Sequence, residues 1–74
     1  MNIVIKGTKT IAEFKELKSR MEQEAMKHFE QHKEAYETWS HGDISKVWFD
    51  AAGNLCIEYE DGNYWHYNER GEWY

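Results

Sequence analysis

The fold is decided by the last part of the chain, residues 44–74, which read ISKVWFDAAGNLCIEYEDGNYWHYNERGEWY. Glycines recur there at nine-residue intervals, at Gly53, Gly62 and Gly71, and the segments around them carry most of the aromatic side chains. Short aromatic and β-branched segments separated by turn-forming residues are typical of antiparallel strands joined by hairpin turns. The stretch therefore predicts a three- to four-stranded antiparallel β-meander.

The turn sequences predict how these strands pair. Asp61-Gly62 favours a two-residue type I′ turn, in which Cys56 lies opposite Tyr67. Residues 50–53 and 68–71 each favour a type I turn that ends in a left-handed glycine and a bulge. These two turns pair Phe49 with Leu55 and Tyr67 with Trp73.

Strand alternation then assigns each side chain to one of two faces. The more uniformly apolar face is expected to pack on a helix, and it collects Val47, Phe49, Leu55, Ile57, Tyr59, Tyr64, His66 and Tyr74. The other face is expected to point outward, and it collects Lys46, Trp48, Cys56, Glu58, Trp65, Tyr67 and Trp73. This face would expose more aromatic surface than an ordinary protein surface does. We therefore expect its rings to be covered by the helix or N-terminal strand, by a second copy, or by another partner.

The N-terminal half predicts a short strand and one long helix. The apolar run Ile3–Ile5 indicates the strand, and Thr10–Glu13 matches a capping box at a helix start. An apolar stripe at helical spacing follows, and no proline interrupts the chain before Gly42. A helix over 11–41 is about 45 Å long, whereas four strands span about 19 Å. We therefore expect the helix to overhang the sheet, bend, or break in two. The predicted fold class is α+β, with residues 1–74 forming a single small domain.

Charge is distributed unevenly along the 74 residues. The net charge is −5; residues 1–42 hold seven acids and seven bases, whereas residues 43–74 hold seven acids against only Lys46 and Arg70. Because nucleic-acid affinity depends on lysine and arginine contacts to phosphate, direct nucleic-acid binding is disfavoured. A basic protein surface is attracted instead.

Cysteine content and hydropathy indicate the compartment. A single cysteine, Cys56, excludes an internal disulfide and favours a reducing environment. No apolar run approaches the length of a membrane span. We expect a soluble, cytoplasmic protein that does not bind membranes.

Metal and catalytic sites are weakly supported by the sequence. His28 and His32 have the i, i+4 spacing that allows two imidazoles to share a metal, but they lack a strong third ligand, so no metal or cofactor is predicted. In the predicted register Cys56 and His66 lie on opposite faces, which excludes a nucleophile–base pair. We expect a protein that is not an enzyme.

These patterns predict a small acidic protein-binding module that docks on a basic surface of a protein partner. A phage or mobile-element inhibitor of the anti-CRISPR or anti-restriction type, which occupies a nucleic-acid-binding site, has this chemistry. The alternatives are a self-associating structural or regulatory dimer and a module that binds carbohydrates or small ligands through its aromatic rings. The predicted partner-binding residues are Trp48, Glu58, Glu60, Asp61, Trp65, Tyr67, Glu72 and Trp73.

Overall fold

One α-helix packs against a four-stranded sheet in the computed structural model, which describes residues 1–74. The elements in chain order are β1 (Asn2–Ile3), α1 (Ile11–Glu34), β2 (Ile44–Phe49), β3 (Leu55–Tyr59) and β4 (Tyr64–Tyr67). The strands lie in the order β1-β2-β3-β4, and the predicted α+β fold is confirmed.

Two pairing modes occur in the sheet. Strands β2, β3 and β4 form the predicted antiparallel meander, and a bridge between Tyr67 and Trp73 extends it past β4. Strand β1 is parallel to β2, so the meander does not include it. Parallel neighbours require a crossover connection, and α1 provides it.

The start of α1 agrees with the predicted capping box. Thr10 Oγ1 accepts a hydrogen bond from the Glu13 amide at 3.1 Å, and Glu13 Oε2 accepts one from the Lys9 amide at 3.0 Å. The first turns of the helix lie outside the core, since Ile11 is 75% exposed and Phe14 is 40% exposed. The apolar side chains at this end are left uncovered, as expected for an overhanging helix. No helix in the structure has both the length and the apolarity that crossing a bilayer requires.

The helix ends at Glu34, which corrects the predicted end at residue 41. In a continuous helix, residue 39 would lie about 10 Å further along the axis than residue 32. In the structure the chain turns back after Ala35, and the Trp39 ring lies 5.0 Å from the His32 ring. Trp39 Nε1 donates a hydrogen bond to the Gly42 carbonyl at 2.7 Å. Packing of Trp39 over the end of the helix thus replaces two further helical turns.

The register between β3 and β4 also differs from the prediction. The structure pairs Cys56 with His66 and Ile57 with Trp65, one residue away from the predicted pairing. A type I′ turn requires a positive φ at both central residues, but no residue other than glycine has a positive φ in this chain. The chain instead forms a three-residue turn in which only Gly62, with φ of 87°, is left-handed. A one-residue shift moves every side chain of β4 to the opposite face.

The core lies between α1 and the sheet. Helix residues Met21, Ala25 and Phe29 are buried there, as the predicted stripe requires. His28 and His32 are buried as well. The buried apolar residues from the sheet half are Ile44, Val47, Leu55, Ile57, Tyr59 and Tyr67, and Trp39, Trp65 and Trp73 pack against them.

Candidate functional site

The side of the sheet opposite α1 is the candidate functional surface, which we call the outer face. It consists of Lys46, Trp48, Cys56, Glu58, Tyr64, His66 and Tyr74, which alternate along the strands with the helix-facing residues. Across the strands, Trp48 pairs with Cys56, Cys56 with His66, and His66 with Tyr74. This row replaces the predicted row, which continued from Cys56 to Tyr67 and Trp73.

Aromatic rings make up much of the outer face. Trp48 lies 5.8 Å from Tyr64, and Tyr64 lies 6.0 Å from His66. The Tyr74 ring stacks on the His66 ring at 5.2 Å with an interplanar angle of 6°. Tyr64 is 55% exposed and Tyr74 is 62% exposed. Lys46 places its ammonium 5.2 Å from the centre of the Trp48 ring.

Three side chains meet in the middle of this row, and we call them the Asp50–Cys56–His66 cluster. Nδ1 of His66 lies 2.7 Å from Asp50 Oδ2 and 3.1 Å from Cys56 Sγ. Because a carboxylate accepts hydrogen bonds, Nδ1 carries the proton and donates it to Asp50. The prediction that Cys56 and His66 cannot reach each other is wrong, since the corrected register places both on the outer face.

Turn geometry positions Asp50 in this cluster. Its Oδ1 accepts hydrogen bonds from the backbone amides of Ala52 and Asn54, both at 2.9 Å. The Asn54 amide bond, followed by further hydrogen bonds including the one from His66, lowers the pKa of the Asp50 carboxyl. The side chain is therefore a fixed carboxylate at neutral pH, with its second oxygen directed at His66.

The cluster does not have the arrangement of a catalytic relay. In a nucleophile–histidine–carboxylate triad, the carboxylate contacts one imidazole nitrogen and the nucleophile contacts the other. Here Asp50 and Cys56 contact the same nitrogen of His66. Burial, and then the negative charge of Asp50, raises the pKa of the Cys56 thiol to about 11. The thiol is protonated at neutral pH and is a poor nucleophile.

The structure separates the predicted partner-binding residues into three groups, of which two are accessible. Trp48 and Glu58 lie on the outer face, as predicted, and both are half-buried. Glu60 and Asp61 are exposed in the turn between β3 and β4, and Glu72 is exposed after the last turn. Asp61 Oδ2 lies 2.5 Å from His41 Nδ1, and this hydrogen bond, the largest of several causes, lowers the pKa of Asp61 to about 2.

The other three predicted residues face the helix, which is a correction. Tyr67 is fully buried, and Trp65 and Trp73 are half-buried against the core. The Trp73 ring stacks on His32 at 4.4 Å, and the Trp65 ring meets His32 edge-on at 4.9 Å. Their outward placement depended on the type I′ turn, and the three-residue turn reverses it.

The two helix histidines are part of the core. His32 Nδ1 lies 2.6 Å from the Tyr67 hydroxyl, which lies 2.6 Å from the Tyr59 hydroxyl. Burial, together with the nearby His41, lowers the pKa of His32 to about 4. His28 stacks on Tyr67 at 5.1 Å. Nδ1 of His28 and Nε2 of His32 are buried without a hydrogen-bond partner.

The sequence contained a signal for the outer face that the turn prediction overlooked. Gly62 stands at the same nine-residue interval as Gly53 and Gly71, and all three glycine amides donate to the carbonyl three residues earlier, at 3.0 to 3.1 Å. If the same turn type had been assigned to all three glycines, the predicted register would have placed His66 beside Cys56.

Comparison with known proteins adds no further information on the site, since no family model, curated protein or solved structure matches this chain.

Proposed function

We propose that this chain is a non-enzymatic binding protein whose outer face docks on a basic surface of a partner protein. The carrying observation is the exposure of Tyr64 and Tyr74 on the sheet face opposite α1. Large aromatic side chains are the residues that most often anchor protein interfaces. Their arrangement in a row with Trp48 provides a continuous contact area.

Charge specifies the chemistry of the partner. The sheet half of the chain holds seven acids and two bases, and both of those bases have contacts within the chain. Arg70 Nε lies 3.3 Å from Glu72, and Lys46 lies over Trp48. Exposed Glu60 and Asp61 flank the outer face at the turn after β3. Such a surface attracts a basic partner and repels phosphate.

A nucleic-acid-binding protein is the partner that this chemistry favours. Carboxylates presented beside aromatic rings offer the two elements that such proteins recognise in nucleic acids, negative charge and stacking surfaces. An anti-CRISPR or anti-restriction inhibitor from a phage or mobile element acts in this way, in the cytoplasm of its host. The single Cys56 suits that reducing compartment.

The test is binding to purified bacterial CRISPR effectors and restriction enzymes, measured with and without competing duplex DNA or RNA. We expect one of these proteins to bind, nucleic acid to compete, and the Trp48→Ala/Tyr74→Ala variant to lose at least tenfold in affinity. Ile11→Ser, at the exposed far end of the helix, is the matched control and should bind normally. Binding that nucleic acid does not compete for, or that both variants retain, would contradict the proposal.

Self-association through the same face is the competing function. Light scattering over a wide concentration range separates the two, because a dimer that covers the outer face should dissociate in the Trp48→Ala/Tyr74→Ala variant. A monomer at every concentration supports docking on a different protein.

A further inference from the structure

The Asp50–Cys56–His66 cluster brings three different metal-binding groups to one point. Cys56 Sγ, His66 Nδ1 and Asp50 Oδ2 lie within 4.8 Å of one another. The residues come from β3, from β4 and from the turn that joins β2 to β3, so the sheet register holds them together. No other group of three histidine, cysteine or acidic side chains in the chain converges in this way.

We propose that this cluster binds one zinc ion through Cys56 Sγ, His66 Nδ1 and Asp50 Oδ2. Thiolate, imidazole and carboxylate are the three ligand types that zinc takes from proteins. Three protein ligands leave the fourth tetrahedral position to water or to an outside ligand. The zinc proposal does not rest on the proposed docking function, and the site lies on the same outer face.

The distances suit a zinc ion in place of the proton on His66 Nδ1. Donor atoms bound tetrahedrally to zinc at 2.0 to 2.3 Å are separated from each other by about 3.5 Å. The separations in the cluster are 3.1 Å for sulfur to nitrogen and 2.7 Å for nitrogen to oxygen. Each must widen by less than about 1 Å, which side-chain rotation can supply. On binding, the His66 proton moves from Nδ1 to Nε2, and Cys56 releases its proton and binds as the thiolate.

A second layer of contacts orients the ligands before an ion arrives. Asp50 is fixed by the amides of Ala52 and Asn54, and the Tyr74 ring covers one side of the His66 imidazole. The Asn54 side-chain amide donates to the Tyr74 hydroxyl at 2.6 Å and to Asp50 Oδ2 at 3.4 Å. Metal ligands supported by such outer hydrogen bonds bind more tightly, because less freedom is lost on binding.

Charge and access also favour a cation. Asp50 supplies a carboxylate and Cys56, once bound, a thiolate, so two anionic ligands balance the charge of a divalent ion. The His66 side chain is 30% exposed on the outer face, while Cys56 is buried beside it, so an ion can enter from that face.

Cobalt(II) titration of the reduced protein tests the site, because a bound thiolate gives a sulfur-to-cobalt charge-transfer band. We expect one cobalt ion per chain, the charge-transfer band, and displacement by one equivalent of zinc. Cys56→Ser should abolish the band, and Asp50→Asn and His66→Gln should each weaken binding at least tenfold.

The matched control is His41→Gln, which removes a histidine that also contacts an aspartate, Asp61, but has no cysteine beside it. It should bind cobalt as the unmodified chain does. Circular dichroism checks that each variant folds. If Cys56→Ser does not fold, Asp50→Asn and His66→Gln provide the test, since both positions are partly exposed. Absence of a stoichiometric complex, binding without the charge-transfer band, or an equal loss in His41→Gln would overturn the proposal.

Discussion

The hydroxyl of Tyr67 lies 2.6 Å from Nδ1 of His32, a buried hydrogen bond that joins β4 to the last turns of α1. The same hydroxyl lies 2.6 Å from that of Tyr59, so Tyr67 is the middle member of a polar chain inside an aromatic core. A buried polar group is stabilising only while its partners remain in place.

Replacing Tyr67 with phenylalanine should destabilise the protein by about 2 kcal/mol, because His32 Nδ1 and the Tyr59 hydroxyl both lose their partner. Tyr59→Phe should cost less, since Tyr67 keeps its bond to His32. Urea unfolding measures both. Tyr64→Phe, on the exposed outer face, is the control and should change the free energy of unfolding little. Equal losses of unfolding free energy in Tyr64→Phe and Tyr67→Phe would contradict a stabilising role for the buried hydrogen bonds of Tyr67.

Acidification should destabilise the protein through His32. Its pKa is about 4 in the folded protein, against an ordinary value of 6.5, so the unfolded chain binds one more proton between these pH values. The free energy of unfolding therefore falls as pH drops through this window, by about 3 kcal/mol at its lower end. His28, whose pKa burial also lowers, acts in the same direction.

The measurement is urea unfolding at several pH values between 7 and 4 for the unmodified protein and His32→Gln. The free energy of unfolding of His32→Gln should depend less steeply on pH, because one titrating group is gone. An unchanged pH dependence in His32→Gln would show that other groups cause the destabilisation.

Two glycine positions should respond differently to alanine. Gly62 has a φ of 87° and open space around it, so Gly62→Ala should cost about 1 to 2 kcal/mol from backbone strain alone. Gly42 has a φ of 80°, and an added Cβ would lie 2.9 Å from Glu60 Cβ. Gly42→Ala should therefore cost more. Thermal unfolding compares the two, and a Glu60→Gly background should narrow the difference. A larger loss of stability in Gly62→Ala than in Gly42→Ala would contradict the observed turn geometry.

Neighbouring aromatic residues at the C-terminus test the strand register directly. Trp73 faces the helix and stacks on His32, so Trp73→Ala should cost about 3 kcal/mol. Tyr74 lies on the outer face, where Tyr74→Ala should cost about 1 kcal/mol or less. Chemical denaturation measures both. The reverse order would support the register predicted from a type I′ turn and contradict the structure.

Local signals in the sequence predicted much of this fold correctly. The capping box at Thr10 forms, the turn at 50–53 pairs Phe49 with Leu55, and the turn at 68–71 pairs Tyr67 with Trp73. Each depends on interactions among residues close in sequence. Such interactions act before distant parts of the chain meet.

The incorrect predictions concern choices that local sequence leaves open. The helix stops at Glu34 although its sequence allows continuation, because Trp39 packs on His32 and Tyr59 when the chain turns back. Asp61-Gly62 is compatible with turns of two and of three residues. In the observed three-residue turn the Asp61 carboxylate accepts hydrogen bonds from the Asn63 amide and from His41. The Asp50–Cys56–His66 cluster depends on that turn, so its geometry could not be predicted from the wrong register.

The equal spacing of the three turns has an evolutionary consequence. Each turn sets which side of the sheet receives every residue after it, so losing one residue near Gly62 would exchange core and surface throughout β4. Substitutions at exposed turn positions other than the left-handed glycines change little, whereas insertions and deletions of single residues there are disruptive. Descendants of this chain can therefore diverge widely in sequence while keeping the intervals between Gly53, Gly62 and Gly71. Distant homologues are better sought by these intervals than by residue identity.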